Sequence, residues 1–486
     1  MKYEDNGYAL HTDLYQINMM MTYFREGIHE RKARFEVFFR KNPFGSGYAV
    51  FAGLQRIIQY IKQLKFSEND LAYLKELGYP EDFLSYLSTF SFTGSIQSVH
   101  EGEIVFANEP IIQIEGKLAE CQLIETALLN IVNFQTLIAT KAARIRYAVG
   151  NGGQLISEFG TRRAHELDAA LWGTRAAYIA GFDTTSNVRA GKLFGIPISG
   201  THAHAMVQVY GDEYAAFTAY AKTHKRVVFL VDTYDTLKSG VPTAIKVAKE
   251  FGDKIDFYGI RLDSGKMAYL SQEARKMLDE AGFPETKIFA SNDLDEHTII
   301  QLKKQGAKID AWGVGTKLIT AYDQPALGAV YKVVAIENEH GEMEDTIKLS
   351  ENPEKVTTPG CKNVYRIINN GNGMWEGDYI TLEKEIIDES APLTMFHPVY
   401  TYIRKYVTNF KAELLLQPVF TGGELVYEER SVEESRIYCE QRLEHLWDDY
   451  KHETTEAEYP VDLSQTCWDN KMDFIHDLRE KIQKRS

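Results

Sequence analysis

Between about residue 130 and residue 335 the chain repeats one phrase: a short apolar run, a few small or polar residues and, in most cases, a helical stretch. The runs are LISEF (155–159), AAYIAGF (176–182), IPISG (196–200), RVVFLV (226–231), FYGIRL (257–262), KIFAS (287–291), DAWGVG (310–315) and AVYKVV (329–334). VPTAIKVAKEF, MAYLSQEARKMLDEAG and EHTIIQLKKQG are the clearest helices between them. A strand buried on both faces reads as an unbroken apolar run, and its alternation with helices signals βαβ units around a parallel sheet. Seven or eight such units closing on themselves make a (β/α) barrel; an open doubly wound sheet shares the rhythm. The unusual residues favour the barrel, because they follow nearly every run rather than one switch point.

The flanking stretches lack this rhythm. Residues 1–130 read as an α+β domain. Thr12 or Asp13 is placed to cap a helix through Leu14, Ile17, Met20, Met21 and Phe24, and RFEVFFRKNPF reads as a strand ending in a turn. GLQRIIQYIKQL reads as an amphipathic helix, and IVFANEPIIQIEG as a hairpin or small sheet broken by Asn-Glu-Pro. The barrel is expected over 131–340. In 341–486, KLSENPEKVTTPGCKNVYRI carries Lys348, Lys355, Lys362 and Arg366 on loops and short strands. SVEESRIYCEQRLEHLWDDY opens with a capping-box pattern at Ser431 and Glu434, and this C-terminal segment is expected to pack on the N-terminal domain.

Composition narrows the function classes. A net charge of −15 argues against a general nucleic-acid binder, although a local cluster of Arg and Lys still sets the field in a cleft. The four cysteines, Cys121, Cys361, Cys439 and Cys467, are far apart and form no CxxC, so a reducing cytoplasm is expected and a disulfide scaffold is not. The acid-bearing start MKYEDNGYALHTDLY has no signal-peptide core, and no run approaches the ~18 apolar residues of a membrane span.

The segments after the runs carry the chemistry: EFGTRRAH, GFDTTSN, SGTHAHA, LVDTYDT, IRLDSGK, ASNDLDE and GVGTKL. Any one of them serves a strand end or a helix cap, but seven in succession on one barrel rim make a candidate active site. In GVGTKL, Gly313 and Gly315 let the backbone approach an oxyanion and Thr316 adds a hydroxyl; Ser291 and Asn292 supply further donors. The adjacent Arg162 and Arg163 suit a carboxylate or pyrophosphate. Arg261 follows an apolar run and is expected to face the barrel, where Asp263 or a ligand carboxylate would be its partner. His202 and His204 have the spacing of a metal pair, but no third ligand or HExxH lies nearby and zinc is rejected. One of the two is expected to be a hydrogen-bonded structural histidine, while a neutral imidazole at a strand end can attack a phosphoryl group. Tyr15 reads by default as core, and Arg40 and Lys41 as exposed cations.

In this order, TDLYQINMMMTYF, FEVFFRKNPF, EFGTRRAH, GTHAHAMV, VDTYDT, IRLDSG, ASNDLDE, GVGTKL and KLSENPEKVTTPG resemble the nicotinate phosphoribosyltransferase family over roughly residues 8–366. The resemblance implies an incomplete barrel joined to an α/β domain built from both chain ends, in a homodimer with active sites at the interface. It implies that nicotinate and phosphoribosyl pyrophosphate give nicotinate mononucleotide and pyrophosphate, with ATP hydrolysis coupled, as the first step of NAD salvage from nicotinate. Carried over by motif, His204 is the phosphorylated histidine. Tyr15, Thr201 and Arg261 contact nicotinate, Arg162 the ring or a phosphate, and Thr316 a phosphate. Ala205 stands where many relatives carry Ser or Glu. An acid after Gly-Thr marks the nicotinamide-using relatives; here that residue is His202, which favours nicotinate. Mg2+ would be held by pyrophosphate oxygens with one or two carboxylates, for which Asp232 and Asp263 are the candidates.

Three rival readings stand beside this one. Another phosphosugar-using barrel enzyme, a nicotinamide-type transferase, lyase or isomerase, would bind phosphate at GVGTKL and use Asp263 or His204 as base. A non-catalytic binder of nicotinate or a nucleotide would show no turnover. Glycoside hydrolysis lacks a convincing acid and nucleophile pair.

Overall fold

The computed structural model describes residues 8–150, 152–352, 355–452 and 455–484. The first residues of the acidic N-terminal segment, and Pro353 and Glu354 of the basic segment, lie outside them. The chain divides into two compact units. One holds the chain up to Leu137, then Ala326–Arg430 and everything from Ile437 onward; the other holds Ile138–Pro325 and Ser431–Arg436.

The first unit is built on largely antiparallel sheets. Its strand Lys32–Phe38 pairs on one side with Ile112–Lys117 and on the other with Val330–Glu337. The AVYKVV run therefore does not belong to the barrel: it is a strand of this seven-stranded sheet. An apolar run reports burial, not the sheet that buries it, and here the pairing partner lies some three hundred residues earlier. The IVFANEPIIQIEG stretch forms no hairpin with itself. Ile104–Val105 pairs with Ala49–Val50 while Ile112–Lys117 joins the larger sheet. The helix Leu14–Arg25 buries Ile17 and Met20, but Tyr15 is 48% exposed and is not core. A second sheet has the order Phe410–Leu414, Lys362–Asn369, Trp375–Leu382, Val461–Leu463.

The second unit carries six parallel strands, labelled here in chain order: β1 Leu155–Glu158, β2 Thr184–Thr185, β3 Arg226–Leu230, β4 Asp256–Leu262, β5 Lys287–Ser291 and β6 Ala311–Val314. Their order is β2-β1-β6-β5-β4-β3, so β2 and β3 are the two edges of a curled, incomplete barrel. Five of the apolar runs become strands of this sheet. AAYIAGF instead ends the helix Leu167–Ile179, in which every residue from Ala170 onward is buried. A helix buried all round has the same unbroken apolar signature as a buried strand. IPISG makes only an isolated bridge, Thr185 to Ile198, at the β2 edge. Side-chain oxygens of Asn187, Asp212 and Asp295 cap the following helices, satisfying amides that would otherwise lack partners. The expected capping box at Ser431 and Glu434 forms: each backbone N–H meets the other's side chain, at 2.8 and 3.2 Å. Among the described residues no helix is long and apolar enough to cross a membrane.

Candidate active site

The carboxyl ends of β3, β4 and β5 place one cluster of charges. After β3 the chain runs through Val231, Asp232 and Thr233 into a turn. Val231 N–H donates to the Arg261 carbonyl at 3.2 Å, and Asp235 accepts from the amides of Leu237 and Lys238 at 3.2 and 2.9 Å. Gly240 lies so close that a Cβ there would sit 1.8 Å from the Val231 oxygen, so the turn demands glycine. Asp232 is thereby drawn inward to 1% side-chain exposure. Its Oδ2 accepts from Asp263 N–H at 2.8 Å and from the Ser264 hydroxyl at 2.7 Å, while the buried Oδ1 has no hydrogen-bond partner.

From β4, Arg261 points into the same cluster as its position after an apolar run predicts. Nη1 lies 3.5 Å from Asp263 Oδ1 and 3.3 Å from Ser291 Oγ, Nη2 donates to the His202 carbonyl at 2.8 Å, and Nε is buried without a partner. Burial holds this guanidinium below its ordinary proton affinity; Asp263 and Asp232 oppose that shift, and the nearby charge of Arg162 adds to it. Ser291, buried at the end of β5, donates to Asp263 Oδ1 and aims that carboxylate.

His204 opens the short helix His204–Tyr210, so its two-residue spacing from His202 does not set the two side chains on one strand face. Its Nδ1 is 3.1 Å from Thr233 Oγ1; Nε2 is 3.9 Å from Asp232 Oδ1 and 3.8 Å from Asp263 Oδ2. His202 is the structural histidine: it is buried against Phe217 and Tyr220, and its Nε2 accepts from Leu230 N–H at 3.2 Å. Burial lowers its pKa to about 4, keeping it the neutral acceptor that this contact requires. Thr201 is half-buried, its hydroxyl donating to the His202 carbonyl at 3.2 Å.

On the β1 and β6 side, Arg162 and Arg163 are exposed in a tight turn, Thr161–Arg163. Buried Glu158 shapes it, accepting from the Gly160 amide and from the hydroxyls of Thr174 and Thr185 at 3.0 and 2.7 Å. Gly313 has a different reason from the one its spacing predicts. The Phe159 ring fills the place of its side chain, 2.5 Å from where a Cβ would sit. Gly315 precedes the four-residue helix Thr316–Ile319, and Thr316 is half-buried at its start. Asn292 is exposed beyond β5 with φ 89°. Tyr15 belongs to the other unit. Thr233 and Ser264 are the site residues that motif reading passed over; their only signal is a hydroxyl directly beside a strand-end aspartate.

The orphaned Asp232 Oδ1 and the half-exposed Asp263 Oδ2 are hard oxygen donors, and they fit a hard divalent cation. Glu296, His297 and Asp323 also lie close together, but Lys141 Nζ sits 3.0 Å from Glu296 and 2.8 Å from Asp323, and Arg144 Nε 2.8 Å from Glu296, so two cations already balance the two carboxylates.

Residues 10–133 match the family described as nicotinate phosphoribosyltransferase N-terminal domain, 154–371 the nicotinate phosphoribosyltransferase family and 361–471 the corresponding C-terminal domain. The chain is 63% identical to nicotinate phosphoribosyltransferase of Bacillus subtilis over 99% of its own length and 98% of that protein. It is 37% identical to nicotinate phosphoribosyltransferase 2 of Arabidopsis thaliana, over 96% and 93% of the two chains. The crystal structure of human nicotinic acid phosphoribosyltransferase superposes with a TM-score of 0.85 at 28% identity, covering 95% of this chain and 99% of that one.

Proposed function

The chain belongs to the nicotinate phosphoribosyltransferase family, and from that premise we propose that it joins nicotinate to phosphoribosyl pyrophosphate. The products are nicotinate mononucleotide and pyrophosphate, and ATP hydrolysis drives the step by which free nicotinate enters NAD synthesis. The observation that carries this reading is the buried Arg261, whose Nε lacks a partner although Nη1 and Nη2 are engaged. An open donor on a fixed, planar cation is what a flat aromatic carboxylate needs, and it orients the pyridine nitrogen toward the sugar.

The reaction asks the protein for position and charge rather than for a nucleophile at the sugar. As the bond from C1 to pyrophosphate loosens, positive charge grows on the ribose and negative charge on the leaving group. The exposed Arg162 meets the leaving pyrophosphate, with Gly315, Thr316 and Asn292 lining the phosphate path by backbone and side-chain donors. Asp263, aimed by Ser291, and Asp232 stand opposite the ribose. They are also the residues that would hold Mg2+, which when bound neutralises pyrophosphate oxygens. Thr201 closes the nicotinate side, and Tyr15, half-exposed on its own unit, offers an aromatic face for a pyridine to stack on. His204 accepts a phosphoryl group from ATP, and the added negative charge at the rim would favour the metal-bound form of the sugar pyrophosphate over the free polyanion. The working unit is a homodimer, supported by the exposed Val188, Ile198 and Val209 on the barrel unit. The four free thiols fit a reducing cytoplasm.

Incubation with nicotinate, phosphoribosyl pyrophosphate and Mg2+, with and without ATP, tests the reading. Nicotinate mononucleotide and pyrophosphate should appear in equal amounts and faster with ATP; preference for nicotinamide, or no pyrophosphate release, overturns it.

A further inference from the structure

We propose that His202 and Thr233 form a two-point lock that positions His204 for phosphoryl transfer, His202 holding its backbone and Thr233 its ring. The inference rests on the reading of His204 as phosphoryl acceptor and deepens it.

The lock follows from the incomplete sheet. β3 is an edge, so the Leu230 N–H that faces away from β4 has no neighbouring strand to receive it, and a buried amide without a partner is costly. The imidazole of His202 takes the place of the missing strand, accepting that N–H at 3.2 Å. The carbonyl of the same residue accepts from Arg261 Nη2 at 2.8 Å, tying it to β4 as well. Residue 202 is thus pinned to two strands, and His204 follows two residues later at the start of its helix.

That fixes where the ring begins, not which way it turns. Ala203, at the N-cap position, makes no side-chain bond, and Ala205 has only a methyl group. The polar contact that sets the ring comes from Thr233, 3.1 Å from Nδ1. Thr233 shares its turn with Asp232, so the same backbone sets both the ring's anchor and one of the carboxylates near Nε2, at 3.9 Å. Rotating the ring about its bond to Cβ would lose the hydroxyl contact and both carboxylate distances together.

In the step served, the unprotonated ring nitrogen attacks the γ-phosphorus of a nucleoside triphosphate. The N–P bond forms, and the bond from phosphorus to the bridging oxygen breaks with its electron pair leaving on the nucleoside diphosphate. The other ring nitrogen keeps its proton. Neither His202 nor Thr233 touches the reacting atoms; both are positioning residues.

The test follows transfer of label from γ-labelled ATP to the protein by rapid quench, as acid-labile, base-stable phosphate. Thr233→Val keeps the shape and removes the hydroxyl, and should slow labelling by about 10- to 100-fold, as a misaligned reacting group does. Thr233→Ser, which restores the hydroxyl, should return to within a few-fold of the native rate. At residue 202, Gln retains an acceptor and should label faster than Leu, which does not. Should Thr233→Val fail to fold, Thr233→Ala gives the same contrast with less bulk. Native labelling in the Val or Ala variant overturns the lock, as does Ser labelling no faster than Val. His204→Ala serves as the reference and should take up no label and lose ATP stimulation. Label persisting there would sink the reading of His204 itself, whereas an unlabelled His204→Ala beside a normally labelled Thr233→Val would sink only the lock.

Discussion

Each unit buries an arginine among acids, and the two clusters behave in opposite ways. In the first unit Arg366 is fully buried. It reaches Asp378 at 2.8 and 2.7 Å, Glu103 at 2.5 Å and the Ile104 carbonyl at 2.7 Å, and it lies over the Trp375 ring at 3.9 Å. Burial works against its charge, yet Asp378 and Glu103 more than offset that and raise its proton affinity well above the ordinary arginine. Glu109 beside them is pushed up by burial and by the neighbouring Asp378 carboxylate. Around Arg261 the same residue types leave Nε and Asp232 Oδ1 unmatched, and burial wins. The difference lies in the arginines themselves: every nitrogen of Arg366 is matched within the protein, whereas Arg261 keeps one N–H for a ligand.

The sharpest way to break this contrast is to remove each arginine in turn. Arg366→Met strands Asp378 without its counter-charge and leaves Glu103 to Arg442 alone, and should lower stability by about 3–5 kcal/mol, read as the urea midpoint. A drop under 1 kcal/mol would show that the cluster is not what holds that sheet.

A second effect is shared by both units. Burial lowers His202 and His100 each to a pKa of about 4 from 6.5, while the unfolded chain takes up protons nearer 6.5. Their contribution is therefore complete above 6.5 and lost as the pH falls toward 4. It amounts to at most about 3 kcal/mol for each histidine. His202→Gln should flatten the slope of stability between these two pH values; an unchanged slope would mean that His202 is already charged in the folded protein.

Arg261→Ala should barely move the urea midpoint. It should raise the KM for nicotinate by roughly 10- to 150-fold, the loss of a charged hydrogen bond of about 1.5–3 kcal/mol, and that for the sugar pyrophosphate far less. Equal rises in both would remove the carboxylate assignment. The smallest change is Ser291→Ala, which leaves Asp263 present but unaimed. A fall of several-fold in kcat at unchanged nicotinate KM is expected, since one neutral-donor contact is worth about 1 kcal/mol. A change confined to nicotinate KM would show that Ser291 serves Arg261 instead.

Much of the site was legible because strand ends advertise it. Arg261 and Ser291 stand at strand ends, Asp232 and Asp263 just beyond them, and a parallel sheet brings such ends to one rim; His204 follows an isolated bridge at the sheet edge. Gly313 was misjudged because a glycine that admits a neighbouring ring and one that admits a phosphate look alike in sequence. Thr233 was passed over because its role depends on where a histidine some thirty residues earlier is held. AAYIAGF and AVYKVV were assigned to strands of the barrel since hydrophobic runs carry burial but neither periodicity nor partner at that length.

The sequence alone determined the order of parallel strands with helices, the residue types on their carboxyl rim and the family, because these depend on local pattern and on motifs read in series. Only the tertiary structure decided that the opening of the incomplete barrel lies between β2 and β3, that His202 serves the β3 edge there, and which polar atoms are left without partners. Hydrogen-bond satisfaction is a property of neighbours in space, and neighbours in space are set by packing across the whole chain.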